Sequence, residues 1–253
     1  EQSTSGGDRY PDAKNAINNN MFKGALVMNY MGHGGPTGWA QERVLTLDDI
    51  ESWSNRPRLP LMLTATCSFT GFDEPNFVSG GERTILNERG GVVAIMTTVR
   101  AVFAQSNEVL VTNVFEYLFD KENGQLLTIG EALRRGTNDT QGTTTRIVNS
   151  RKFALIGDPA MRLGLPRYQV VTSEINDSPV GQGATDTLQA LSQVTVKGFV
   201  ADEGGQELSS FNGRVFVTLF DKTDTLFTLG QGSAVTSFSL QRNVLFKGAA
   251  TVS

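Results

Sequence analysis

A chain of 253 residues, 39% of them hydrophobic, holds enough apolar material for one large or two ordinary cores and reads as globular. Twenty-two basic against 26 acidic side chains leave a formal charge of -4 with no long run of either sign, which argues against a nucleic-acid groove or a polybasic membrane patch. A single cysteine excludes an intrachain disulfide, that cysteine with a single histidine excludes the usual zinc spacings, and no apolar stretch approaches the roughly 20 residues of a spanning helix.

The chain starts Glu1-Gln2-Ser3-Thr4-Ser5, without an initiator Met or the basic and apolar regions of a signal peptide, so it reads as a piece of a longer precursor. A polar, loop-like stretch carrying Asp8 and Asp12 follows. The first strand-like run is Gly24 to Met31, leading through Gly32 to a turn His33-Gly34-Gly35-Pro36. Thr46 then stands as N-cap of a helix, with an acid, Asp49, three residues on. A second apolar run over 60–66 ends at Cys67, and a loop rich in Gly, Asp and Pro comes next. The pattern continues with a helix over 80–89, a third strand over 91–97, and amphipathic helices near 106–119 and 126–137. Phe153-Ala154-Leu155-Ile156 reads as one more short buried strand. This alternation of strands and helices specifies an α/β fold around a parallel sheet with flanking helices.

From about Pro166 the character changes to short β-branched runs, over 169–172, 194–200 and 213–220, separated by Gly, Asp, Asn and Ser. Residues 167–253 therefore read as a β-sandwich module distinct from the α/β domain over 1–166. The sequence stops at Ser253 inside another strand-like run, which reads as an incomplete module.

His33 and Cys67 are the chain's sole histidine and cysteine, and each directly follows an apolar strand. In an open α/β sheet, catalytic groups gather beyond the carboxyl ends of the strands. A thiol is only a few per cent ionised at neutral pH, and a neighbouring imidazole that takes its proton makes it a useful nucleophile. Glycines beside the base leave backbone N–H groups open to a developing oxyanion, and Gly34 and Gly35 are placed for that. A lone cysteine at a strand end is more often a small buried hydrophobe; the pairing with His33 at successive strand ends tips the reading toward chemistry. Asp73 and Glu74 are candidates for a specificity pocket or a calcium site, although solvated loop acids are commoner. Trp39 is equally compatible with a pocket wall and with core packing. Asp158, in Gly157-Asp158-Pro159, reads as a turn or cap residue.

Tyr30-Met31-Gly32-His33-Gly34-Gly35 and Thr64-Ala65-Thr66-Cys67-Ser68 resemble the His-Gly and Ala-x-Cys blocks of the clan CD cysteine peptidases, the caspase and gingipain group. Phe153 to Leu163, with its Gly-Asp-Pro core, resembles the block that closes the gingipain catalytic domain, after which that family carries an immunoglobulin-like domain. The resemblance covers residues from about 24 to 253. Within the family the whole chain looks most like the peptidase of the type IX secretion system, particularly in Phe211 to Lys222 and Val244 to Gly248.

The resemblance implies a caspase/gingipain-like sheet whose C-terminal portion is present here. It also implies Cys67 as nucleophile, His33 as acid/base, and the Gly34 and Cys67 amides as oxyanion hole. It further implies an enzyme at the cell surface, associated with the outer membrane of a Gram-negative bacterium. Such an enzyme cleaves the C-terminal sorting domain from secreted cargo and passes the new carboxyl end to water or to a lipopolysaccharide amine. The chemistry needs no cofactor. The implied partners are cargo protein, lipopolysaccharide and other outer-membrane components of the secretion system, with no nucleic acid and no membrane span of its own. The family's acidic partner for the histidine lies upstream of it, which leaves Asp8, Asp12 or a residue outside this chain. A degradative gingipain-like surface endopeptidase and a non-catalytic scaffold or adhesion module remain alternatives.

Overall fold

The computed structural model describes residues 2–4, 7–140, 142–181, 188, 192–227, 237–240 and 244–252. Glu1, Ser5 and Ser253 lie outside the described residues. The chain forms two compact units, Glu1–Gly164 and Leu165–Ser253.

In the first unit, β1 (Val27–Met31), β2 (Leu61–Ala65) and β3 (Ala94–Thr98) run parallel. β4 (Phe153–Ile156) pairs antiparallel with β3, so the order across the sheet is β4-β3-β2-β1. β2 and β3 are buried along their whole length, as expected where helices cover both faces of a parallel sheet. The expected buried strand at 153–156 is instead a half-buried edge strand, since nothing pairs beyond it among the described residues.

Side chains alternate between two cores, as the strand period of two requires. Met62 and Ile95 face a cluster with Met21, Trp39, Leu45, Ile50, Trp53 and Phe69. Leu61, Leu63, Ala94 and Met96 face the opposite cluster with Leu110, Val114, Leu118 and Ile129.

Six helices flank this sheet among the described residues. α1 (Pro11–Lys23) occupies the stretch expected to be loop-like. It begins with Pro at its first turn, carries Asp12 there, and stops at Gly24 (φ 94°). Its inward residues, Lys14, Ile17, Asn18 and Met21, keep helical spacing, but two are polar, which hid the periodicity. Those two have a specific partner, the nearly buried Asp49: Lys14 Nζ lies 3.0 Å from its carboxylate and Asn18 Nδ2 donates to it at 3.0 Å. Asn18 Oδ1 accepts from the buried Trp53 indole at 2.8 Å.

α2 (Leu47–Ser52) starts at Thr46 as expected, with the Thr46 N–H and hydroxyl both donating to Asp49, at 2.9 and 2.6 Å. α3 (Gly80–Leu86) repeats the device with Ser79 and Glu82 and ends earlier than expected. There Asn87 turns away and its Nδ2 donates to the Ile50 and Trp53 carbonyls at the end of α2. α4 (Ala104–Leu118) and α5 (Ile129–Asp139) match the two expected amphipathic helices. They pack closely because Gly136 leaves no side chain: a Cβ there would sit 2.7 Å from the Val114 backbone. α6 (Thr144–Ser150) was not foreseen, since its β-branched start Thr144-Thr145 disfavours a helix until Thr143 caps it.

The Gly-Asp-Pro block is structural. Asp158 Oδ1 accepts from Ala160 N at 2.8 Å, forming the expected turn, and the Met161 and Pro159 carbonyls accept from Ile129 N and Gly130 N. The first amides of α5 are thereby satisfied.

The second unit is antiparallel throughout its described strands. β5 (Gln169–Ile175) pairs with β6 (Val196–Ala201) and with Ser178–Pro179. β7 (Gly213–Phe220) pairs with β10 (Val244–Val252), and β8 (Asp224–Phe227) with β9 (Ser237–Leu240). Along β7 half-buried Val215, Val217 and Leu219 alternate with exposed Arg214, Phe216, Thr218 and Phe220.

Candidate active site

β1 and β2 are neighbours, and their register pairs Met31 with Ala65. His33 and Cys67 therefore each stand two residues beyond paired strand ends, at the carboxyl edge of the sheet. The Gly32 N–H, which donates to the Ala65 carbonyl at 3.4 Å, carries the pairing one residue further.

After β1 the chain enters a small ribbon of Gly34–Gly35, Gly38–Trp39 and Leu45–Thr46. The His33 carbonyl accepts from the Ala40 N–H and from the Tyr30 hydroxyl, each at 2.7 Å, which fixes the peptide and leaves the residue exposed. Burial, and secondarily the charge of Glu42, pushes the Tyr30 hydroxyl above its ordinary range, so it stays a donor at neutral pH. Because His33 and Ala40 are joined by a ladder bond, Gly34 and Trp39 form a non-bonded pair, whose N–H groups point away from each other's strands. The Gly34 N–H is thus not consumed by the ribbon. Gly34 also rests on Thr66: a Cβ there would lie 2.5 Å from Thr66 Oγ1 and 2.8 Å from the Gly38 carbonyl.

After β2 the chain turns sharply. Ser68 adopts φ 51°, a conformation uncommon for a residue with a side chain. The turn is held by Ser68 N donating to the Arg100 carbonyl (3.2 Å), Thr70 N donating to the Thr98 carbonyl (3.0 Å) and the Thr98 hydroxyl donating to the Thr66 carbonyl. Half-buried Cys67 lies beside the segment after β3, its thiol 3.8 Å from the Val102 carbonyl.

That segment is braced from below. Buried Asn107 donates to the Ala65 carbonyl at 3.4 Å, Asn149 Nδ2 donates to Asn107 Oδ1 at 2.9 Å, and Asn149 Oδ1 accepts from Phe103 N at 2.9 Å. Sequence reasoning missed Arg100, Asn107 and Asn149, because their partners lie 27 to 46 residues away and no local pattern signals them.

Trp39 is core, not pocket wall: it is 2% exposed, stacked on Tyr30 at 4.3 Å and packed against Phe69 at 5.7 Å. The side-chain atoms Trp39 Nε1, Thr64 Oγ1 and Thr66 Oγ1 are buried without a hydrogen-bond partner. Asp73 is exposed and forms a two-point ion pair with Arg100, which holds its carboxyl below the usual range. Glu74 accepts from the Asn76 backbone and side chain. No group of three His, Cys, Asp or Glu side chains suited to a metal ion occurs among the described residues.

A cleft of about 1110 Å³ opens on the His33 side, lined by His33, Gly34, Gly35, Lys14, Glu42 and Asp48 among others. Among the described residues the acids lining it are Glu42 and Asp48; Asp12 sits in the exposed first turn of α1. Asp8 lies in a short strand, Gly7–Arg9, and its side chain is outside the described residues.

Among solved structures, the chain is similar to the Arg-specific cysteine proteinase gingipain R (RgpB), with 17% identity, a TM-score of 0.55, and coverage of 82% of this chain and 45% of that one. The complex of Porphyromonas gingivalis RgpB pro- and mature domains gives 16% identity and a TM-score of 0.55, over 90% of this chain and 56% of that one. At these identities the likeness is one of fold, and the chain spans about half the length of these relatives. Dimeric latent PorU from Porphyromonas gingivalis matches at 28% identity over 65% of this chain and 16% of that one, with a TM-score of 0.33. A comparison with curated proteins gives no match. The family model for peptidase family C25 matches residues 1–164, the whole of the first compact unit. The chain belongs to peptidase family C25, the gingipain family of clan CD cysteine peptidases.

Proposed function

We propose that the chain carries cysteine endopeptidase chemistry with Cys67 as nucleophile and His33 as acid/base. The observation that supports this most is the paired register of β1 and β2, which sets the only imidazole and the only thiol at matching strand ends. The Cys67 proton passes to His33 as Sγ attacks the scissile carbonyl, forming a C–S bond and an oxyanion. The Gly34 N–H, left free by the ribbon, and the Cys67 N–H are the donors for that oxyanion. Collapse breaks the C–N bond, and His33 returns the proton to the departing amine. Water then cleaves the thioester to release a carboxylate and the thiol; an amine in place of water gives a new amide.

The substrate reading follows from the later segments, Phe211 to Lys222 and Val244 to Gly248, which resemble the type IX secretion peptidase PorU. On that reading the cargo is a secreted protein cleaved ahead of its C-terminal sorting domain, and a lipopolysaccharide amine is the alternative acceptor. The work is done at the cell surface beside other outer-membrane components of the secretion system. No described helix is long and apolar enough to cross a membrane. The second unit is read as an immunoglobulin-like module.

Cys67→Ala in the full-length protein is expected to leave the fold intact and abolish cleavage of the cargo junction. Unchanged cleavage would overturn the assignment. Cleavage of one cargo junction supports processing, whereas broad turnover of peptides supports a degradative enzyme.

A further inference from the structure

β2 lies between β1 and β3, so Cys67 has two unlike neighbours. His33 stands on the β1 side. On the β3 side, the segment after Thr98 closes against the cysteine turn through the Ser68 N–H to Arg100 carbonyl bond and the Cys67 contact with Val102. From this segment the Arg100 guanidinium reaches to the loop after Cys67 and grips Asp73 with both prongs, Nη1 to Oδ1 at 3.1 Å and Nη2 to Oδ2 at 2.5 Å. Exposed Phe72 directly precedes Asp73, exposed Phe103 follows three residues after Arg100, and Lys152 lies 5.1 Å over the Phe103 ring.

Acid/base geometry decides which part of a substrate meets this flank. His33 must reach the nitrogen of the departing amine, so the amine side of the scissile bond lies toward β1. The acyl side, with the residue that precedes the cleaved bond, then lies toward the β3 segment and the loop after Cys67. A bare carboxylate there would select a basic residue. Asp73 is not bare, and the other acid of its loop, Glu74, is turned back onto Asn76.

We propose that Arg100 is a specificity-determining residue that masks Asp73, so that the residue preceding the cleaved bond is uncharged rather than basic. This rests on the cysteine-peptidase reading above. A tethered guanidinium competes with a substrate cation at an effective concentration of roughly millimolar or more, without paying for association. Displacing it would leave its positive charge beside the incoming one, which disfavours the basic substrate again. Both partners are about half exposed, with side chains 58% and 49% accessible, so the pair adds little to folding and its removal leaves the fold in place.

The test uses the full-length protein and two peptides that differ only in the residue preceding the cleaved bond, Arg or Gln. The readout is the ratio of their kcat/KM values for wild type, Arg100→Gln and the double variant Asp73→Asn/Arg100→Gln. Arg100→Gln is expected to raise the Arg/Gln ratio about tenfold, the worth of one charge-assisted hydrogen bond, and the double variant to return it to the wild-type value. Cys67-dependent cleavage with an unchanged ratio in Arg100→Gln, or an equal rise in the double variant, overturns the masking alone. Cleavage that survives in Cys67→Ala, or no cleavage by wild type, overturns the peptidase reading and the masking with it.

Discussion

The two sides of Cys67 are built on different plans. Toward β1, the His33 turn is exposed, borders a cleft of about 1110 Å³, and leads into a ribbon whose Gly34 rests on Thr66 and the Gly38 carbonyl. Toward β3, the segment after Thr98 is tied down by backbone bonds and by the Asn107 and Asn149 pair, and it carries the exposed Arg100 and Asp73 fork. A base that must shuttle a proton between thiol and leaving group benefits from room and water access. A wall that selects a side chain must hold its shape, and buried amides with satisfied partners give it that. The difference suits the proposed roles, proton transfer on the open side and substrate selection on the braced one.

The largest effect tests the residue both sides serve. Cys67→Ala is expected to lower turnover at least about a thousandfold, measured on a defined cargo junction, with circular dichroism to confirm the fold. Next comes the open side. Gly34→Ala drives a methyl into Thr66 Oγ1 and the Gly38 carbonyl and is expected to cost about 1–3 kcal/mol in urea melts. A neutral result would mean that the ribbon yields easily and does not hold the His33 turn.

A smaller effect concerns the wall of the cleft, where α1 meets α2. Burial raises the Asp49 pKa, but the hydrogen bonds from Thr46, Lys14 and Asn18 outweigh it and hold the carboxyl below its ordinary 3.8. The stability this carries is complete above the unfolded value and is lost as pH falls through the folded one. Asp49→Asn is expected to cost about 1–2 kcal/mol at pH 7 and to flatten the decline in stability below about pH 4. A variant that keeps the full acid decline would show that other carboxylates carry it. The smallest effect on stability falls to Arg100→Gln, whose urea midpoint is expected to match wild type because its pair is exposed; a clear loss would make the fork a structural brace.

Much of this contrast was visible in the sequence on the open side and little on the braced one. The aliphatic runs before His33 and Cys67 marked β1 and β2, and Thr46 with Asp49 marked the start of α2, since each signal is local. α1 escaped notice because Lys14 and Asn18 occupy its inward face, and their partner Asp49 lies 31 or more residues away. Trp39 had no local feature to separate core from pocket; its stacking on Tyr30 decides it. Asp73 looked like an available acid because Arg100, 27 residues later, joins it only through the sheet.

The proposed dyad requires that His33 activate Cys67. Second-order alkylation of Cys67 by iodoacetamide between about pH 5 and 9 measures this directly, in wild type and His33→Asn, since a free thiol of ordinary reactivity titrates near 8.5. The expected result is rapid labelling at neutral pH in wild type and at least about a tenfold slower rate in His33→Asn. Equal and slow labelling of both folded proteins would contradict the dyad.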